Sequence, residues 1–163
     1  MTYELLLRQA REILNAEPWY VSALSNLSAL IMTTLPDLNW AGVYLCRNGE
    51  LTVGPFQGNP ACIHIAPGKG VCGTALIRDE TVVVPDVHLF PGHIACDSAS
   101  ESEIVIPIHS GGQVTAVLDL DSPMKERFSQ EDRERLETLV RLMEETLSWK
   151  EWAVGDRANR PIQ

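Results

Sequence analysis

The sequence predicts an α+β fold in which one antiparallel sheet carries helices from the two chain ends on one of its faces. Three observations carry that expectation. Apolar residues recur at helical spacing near the start and the end of the chain, whereas between Trp40 and Asp121 the period drops to two. The alternating runs also come in pairs joined by short glycine-containing turns, as antiparallel neighbours require.

Taken in order, Glu4–Leu14 sets Leu5, Leu6, Ile13 and Leu14 on one broad face, with Arg8, Arg11 and Glu12 toward water, and Pro18 interrupts. A second helix is predicted from Val21 to Thr34, where Leu24, Leu27, Leu30 and Ile31 stand at helical spacing and Pro36 bars extension. Trp40–Cys46 and Leu51–Phe56 are strands flanking Arg47-Asn48-Gly49-Glu50, a hairpin signal. Cys62–Ala66 reads as a short strand, Pro67-Gly68-Lys69-Gly70 as a turn, Val71–Arg78 as a short helix and Thr81–Val84 as a strand. Pro85 to Ser102 reads as a long polar loop. Ile104–Ile108 and Val114–Asp121 then pair around Ser110-Gly111-Gly112. The last helix starts at Ser129, a capping residue with Asp132 three positions on, and Leu136, Leu139, Val140 and Met143 form its apolar stripe. Residues 1–152 are expected to form one domain and 153–163 a short C-terminal tail.

Composition narrows the function classes. A chain of 163 residues that is 45% hydrophobic can bury a proper core. Its net charge of −9 opposes nucleic acid and anionic membranes, which attract basic surfaces. The N-terminal residues lack a signal-peptide pattern, and no apolar run reaches the roughly 18 residues of a membrane span. A soluble cytoplasmic protein is expected.

Three cysteines, Cys62, Cys72 and Cys96, stand beside glycine, turn or polar residues rather than inside apolar runs. A cytoplasmic chain keeps its thiols reduced, so such a group suggests redox chemistry. Their spacing fits no zinc pattern, even with His64 and His93 as candidate partners, and no metal is expected. Gly68-Lys69-Gly70-Val71-Cys72-Gly73 matches G-x-G-x-x-G, with Asp86 downstream, but no βαβ unit surrounds it. What this loop does offer is Cys72 near a helix N-terminus, where the dipole would favour a thiolate. Cys46, inside an aromatic strand, reads as structural.

Alternation places Trp40, Gly42, Tyr44 and Cys46 on one sheet face and Ala41, Val43 and Leu45 on the other. The second set is ordinary core; the first pairs two aromatics with a glycine that leaves space. In Val117-Leu118-Asp119-Leu120-Asp121 both aspartates share a face, about 7 Å apart at the usual strand rise. They read either as a solvated edge or as the anionic floor of a pocket for a cationic group. Glu103, at an exposed strand end or beside those acids, would in the second case force at least one carboxyl to keep a proton.

Asn39-Trp40-Ala41-Gly42-Val43-Tyr44, Gly70-Val71-Cys72-Gly73, His93-Ile94-Ala95-Cys96-Asp97, Ser102-Glu103-Ile104-Val105-Ile106-Pro107 and Leu118-Asp119-Leu120-Asp121-Ser122 together resemble the free methionine-(R)-sulfoxide reductases. These are single GAF-domain enzymes, and the likeness runs from about Glu4 to Leu147. The resemblance implies a GAF-like antiparallel sheet and a thiol redox cycle without metal or organic cofactor. It assigns Cys96 as nucleophile, Cys72 as principal resolving cysteine and Cys62 as the third, able to form an alternative disulfide. Trp40 and Tyr44 would line the pocket around the methyl and sulfoxide end, and Glu103, Asp119 and Asp121 would bind substrate and assist the chemistry. Free methionine-(R)-sulfoxide is the implied substrate and thioredoxin the implied reductant, and the family tends to form homodimers. A non-catalytic GAF sensor and a thiol redox switch are the alternatives.

Overall fold

In the computed structural model, residues 2–17, 19–93 and 98–149 are described. Helix α1 (Thr2–Ala16) buries Leu6, Ala10 and Leu14, a single row four residues apart. Tyr3 and Leu7 pack against the same core and widen that row into a stripe. Leu5 is exposed because it falls outside this stripe, where the small Ala10 stands inside it. Helix α2 (Tyr20–Thr34) buries Ala23, Leu24, Leu27, Ser28 and Ile31, and Leu35 leaves it in extended conformation while its N–H still reaches the Ile31 carbonyl.

Strands β1 (Trp40–Arg47), β2 (Glu50–Gly58), β3 (His64–Ile65), β4 (Val82–Val84), β5 (Ser102–Ser110) and β6 (Gln113–Ser122) form one sheet in the order β3-β2-β1-β6-β5-β4. Every neighbouring pair is antiparallel. The β1–β2 turn holds Asn48 and Gly49 at φ 50° and 81°, the two left-handed residues that a tight hairpin needs. The expected strand Cys62–Ala66 contracts to His64–Ile65, which pairs only with Leu51 and Thr52. The loop after β4 contains a 3₁₀ turn, Val87–Leu89, capped by the Asp86 carboxylate, which accepts the His88 N–H.

The sheet is covered on both sides. Ala41, Val43, Leu45, Ile104, Ile106, Ile108, Leu118 and Leu120 share one core with α1, α2 and helix α4 (Gln130–Thr146). On the other face Trp40, Tyr44, Val105 and Val117 pack with Val71, Cys72 and Ala75 of helix α3 (Gly70–Arg78). The chain-end helices thus lie on one face as expected, and the short α3 closes the opposite one. Ser129 and Asp132 form a reciprocal capping box at the start of α4. Asp132 also accepts from Arg127 and from the Tyr3 hydroxyl, which ties α4 to α1. Among the described residues no helix is long and apolar enough to cross a membrane. The expected tail at 153–163 lies outside the described residues.

Candidate active site

The site grows out of the register of three central strands. Trp40 of β1 stands opposite Asp121 of β6, which stands opposite Glu103 of β5, so the three share one row across the sheet. In the next row Gly42 faces Asp119, which faces Val105. Strand β6 lies between β1 and β5, so Asp119 and Asp121 are not on a solvated edge. Asp119 is 5% exposed and Glu103 6%, which also removes the exposed strand-end reading of Glu103.

The aromatic wall follows from β1. Trp40 stacks on Tyr44 with ring centroids 5.8 Å apart and on Phe56 at 5.0 Å. Its indole N–H donates to the Asn59 carbonyl at 3.2 Å, and the Tyr44 hydroxyl donates to the Cys62 carbonyl at 3.0 Å. Both rings therefore hold the 59–62 segment by their polar tips. Gly42 makes the stack possible, since a Cβ there would sit 2.3 Å from Phe56 Cβ and 2.8 Å from the Trp40 ring. Gly42→Ala is expected to cost about 1–3 kcal/mol by overpacking and to raise KM; a urea midpoint equal to the parent's would contradict this close approach. Phe56 escaped the sequence reading, although an unfilled Gly42 asks for a large partner across the ladder.

Trp40, Tyr44, Cys72, Glu103, Asp119 and Asp121 all line one cavity. Burial is the main force on its acids. It pushes the Glu103 carboxyl well above the usual range, helped by the charges of Asp119 and Asp121. It raises Asp119 to about 6, against the lowering effect of hydrogen bonds from Glu103 and Cys72. Of the two, Glu103 is the acid whose surroundings favour the protonated form, and it shares a hydrogen bond with Asp119. The Asp119 Oδ1 oxygen is buried without a hydrogen-bond partner. A buried, unsatisfied carboxylate oxygen facing a cavity calls for a donor from a ligand.

The cysteines divide. Cys72 is buried at 4% exposure, with Sγ 4.0 Å from Glu103 Oε1. The expectation that the α3 N-terminus makes it a thiolate fails: burial first, then the charges of Asp119, Glu103 and Asp121, drive its pKa well up. Cys62 is half-buried and disulfide-bonded, whereas Cys72 and Cys46 carry free thiols. Cys46 packs beside the second core, where burial pushes its thiol up to about 11, consistent with a structural part. Cys96 lies outside the described residues.

His93, Ser100 and Lys69 also line the cavity. His93 Nε2 lies 3.9 Å from Glu103 Oε2, and burial, with the charge of His88, lowers its pKa. His64 instead pairs with Glu50 at the surface. Ser100 gave no signal in the sequence; it accepts a hydrogen bond from the Asn39 amide. The G-x-G-x-x-G stretch is a tight turn into α3 within an antiparallel sheet, with Gly73 pressed against the Ala66 carbonyl. It therefore lacks the parallel frame of a dinucleotide site.

This covered sheet with a cavity between its inner strands and a short helix is the architecture of a GAF domain, and the GAF domain family matches residues 2–147. The chain is 45% identical over 146 residues to the free methionine-R-sulfoxide reductase of Escherichia coli, covering 90% of this chain and 88% of that one. Its fold superposes on the fRMsr of Staphylococcus aureus in complex with substrate at a TM-score of 0.85 and 49% identity, over 90% and 95% of the two chains. It superposes on the free methionine-R-sulfoxide reductase of Neisseria meningitidis in complex with its substrate at 0.88 and 38%, over 93% and 91%. The chain belongs to the free methionine-R-sulfoxide reductases, a family of oxidoreductases.

Proposed function

We propose that this protein reduces free L-methionine-(R)-sulfoxide to L-methionine through a cysteine sulfenic acid and an intramolecular disulfide, with thioredoxin as the recycling dithiol. The observation that carries the reading is the cavity itself. An aromatic wall faces a row of acids, one of which is driven by burial toward its protonated form while another leaves a buried oxygen unsatisfied. Asp119 and Asp121 supply the negative charge that the α-ammonium of a free amino acid would satisfy. A peptide-bound residue lacks that charge and would leave the acids desolvated, at a cost of several kcal/mol.

Cys96 is the nucleophile in this reading. The role is the one the resemblance implies, and His93 and Ser100, on either side of Cys96 in the sequence, both line the cavity. The Cys96 thiolate attacks the sulfoxide sulfur while protonated Glu103 gives its proton to the oxygen. In the adduct so formed the hydroxyl passes from the methionine sulfur to the Cys96 sulfur as the new sulfur–sulfur bond breaks, so that methionine leaves and Cys96 is a sulfenic acid. A second thiol condenses with it, releasing water and forming a disulfide. Thioredoxin then reduces that disulfide and is itself oxidised. No metal or organic cofactor enters the cycle.

Cys62 is the better resolving thiol on physical grounds, in place of the Cys72 that the resemblance implied. It is half-buried and already disulfide-bonded, whereas Cys72 is enclosed and held protonated by its surroundings. Cys62→Ser is expected to release one equivalent of methionine and then stop under thioredoxin; recycling that survives Cys62→Ser and fails in Cys72→Ser returns the role to Cys72. The function as a whole is tested by incubating the protein with the sulfoxide and a dithiol and measuring free methionine. Turnover of the free (R)-sulfoxide with little on its N-acetyl derivative supports the reading, and no methionine from either leaves a sensor or a redox switch.

A further inference from the structure

Two groups of three metal-ligating side chains come together among the described residues. One, Asp86, His88 and Glu101, lies toward the surface and already has a cation, since Lys125 Nζ stands 3.0 Å from Asp86 Oδ2. The other is buried: one ligand atom each from Cys72, Glu103 and Asp119, all within 4.8 Å of one another. They come from α3, β5 and β6, so no local spacing in the sequence announces them. A tetrahedral zinc site holds its ligand atoms about 3.5 Å apart, at bond lengths of about 2.0–2.3 Å. The 4.0 Å between Cys72 Sγ and Glu103 Oε1 therefore needs only a small contraction.

Two further observations point to a ligand here. The Asp119 Oδ1 oxygen is buried without a partner in a side chain that is 5% exposed. His93, at the cavity wall, holds Nε2 3.9 Å from Glu103 Oε2 and can offer an imidazole nitrogen. A thiolate, two carboxylates and an imidazole are a donor set that suits zinc among the divalent cations. The cavity, about 50 Å³, is roomy enough for a single ion.

We propose that this pocket chelates a thiophilic divalent cation, Zn²⁺ by preference, through Cys72, Glu103 and Asp119 with His93 as a fourth donor, and that the ion displaces the sulfoxide substrate. Chelation rests on the geometry alone, whereas displacement rests on the function proposed above. The ion is an inhibitor and not a cofactor, because it occupies the acids that substrate and proton transfer would use. On binding, the Cys72 sulfur–metal bond replaces its S–H bond, the protons of Cys72 and Glu103 pass to water, and no electrons are exchanged.

Cobalt(II) is the probe, since a thiolate–cobalt bond gives a near-ultraviolet charge-transfer band and a tetrahedral site gives strong visible bands. The full-length chain, reduced with a phosphine, is titrated as a Cys46→Ser/Cys62→Ser/Cys96→Ser variant that keeps Cys72 as its one thiol. One equivalent of cobalt is expected to saturate the charge-transfer band, and Zn²⁺ is expected to abolish it. Adding Cys72→Ala should remove the band. Asp119→Asn should weaken binding by roughly tenfold or more, and this arm stands if Cys72→Ala folds poorly. Absence of a saturable band, or a cobalt affinity indifferent to Asp119, overturns the site. Methionine sulfoxide should raise the apparent cobalt dissociation constant in this variant, which cannot turn over. Chelation unchanged at saturating sulfoxide overturns displacement, while the methionine-release assay on the parent protein judges the reductase reading separately.

Discussion

Cys96→Ser is expected to lower methionine release from the free (R)-sulfoxide by at least roughly 10³-fold while leaving substrate binding close to that of the parent. Sulfoxide reduction removes an oxygen with two electrons, and in the proposed cycle those electrons come from cysteine sulfur. Serine keeps the size and polarity of the side chain but cannot accept the oxygen as a sulfenic acid. The proposed binding elements are other residues: Trp40 and Tyr44 on β1, Asp119 and Asp121 on β6 and Glu103 on β5 all line the cavity. Calorimetric titration of the sulfoxide into the variant and a methionine-release assay with a dithiol separate the two effects. Residual turnover above about one-hundredth of the parent would mean that another group attacks the sulfur.

Glu103→Gln should act in two directions at once, slowing the enzyme and stabilising the fold. The amide keeps the shape of the carboxylic acid but has no proton to give, so kcat is expected to fall about 10²–10⁴-fold. The parent's kcat should also fall as pH rises through the elevated Glu103 pKa, and that alkaline limb should vanish in the variant. The stability effect follows from burial. Glu103 and Asp119 both have folded pKa values above their ordinary ones, so the native state binds more protons than the unfolded chain once pH exceeds the ordinary values. Their stabilising contribution is full below those values and is lost as pH rises through the folded ones. The glutamine removes one of these acids, and each tenfold in proton affinity is worth about 1.4 kcal/mol. A gain on the order of 1–3 kcal/mol in unfolding free energy is therefore expected at alkaline pH. Urea titrations at several pH values measure it. A variant that is slow but also less stable at alkaline pH would mark Glu103 as a packing residue.

Most of the fold was legible because alternation and turn chemistry agree locally. Asn48-Gly49 set the first hairpin, and the period-two runs set which side of each strand meets the helices. What resisted reading were features decided by distant partners. Leu5 is expected inside and lies outside because the core-facing stripe of α1 is centred on Leu6, Ala10 and Leu14, with Tyr3 and Leu7 at its sides. Cys62 was assigned to a strand, but there β2 has only Leu51 and Thr52 paired with β3. Within the site, the shared face of Asp119 and Asp121 was visible in the sequence, whereas their depth was not. Depth came from the strand order, which puts β6 in the middle of the sheet. The charge state of Cys72 was misread for the same reason: a helix N-terminus is a local feature, while the acids that oppose a thiolate arrive from β5 and β6.

The two faces of the central strands also divide the labour of inheritance. On β6, Leu118 and Leu120 belong to the helical core, while the alternate residues Asp119 and Asp121 belong to the cavity. Substitutions at the second set can alter what the pocket accepts with little disturbance to the packing beneath α1, α2 and α4. Insertion or deletion of one residue in the strand would exchange the two sets, putting carboxylates among leucines and leucines in the cavity. Mutational drift in this protein should therefore be free to explore side chains on one face and nearly forbidden to explore length, so that new substrate preferences arise by replacement along a fixed ruler.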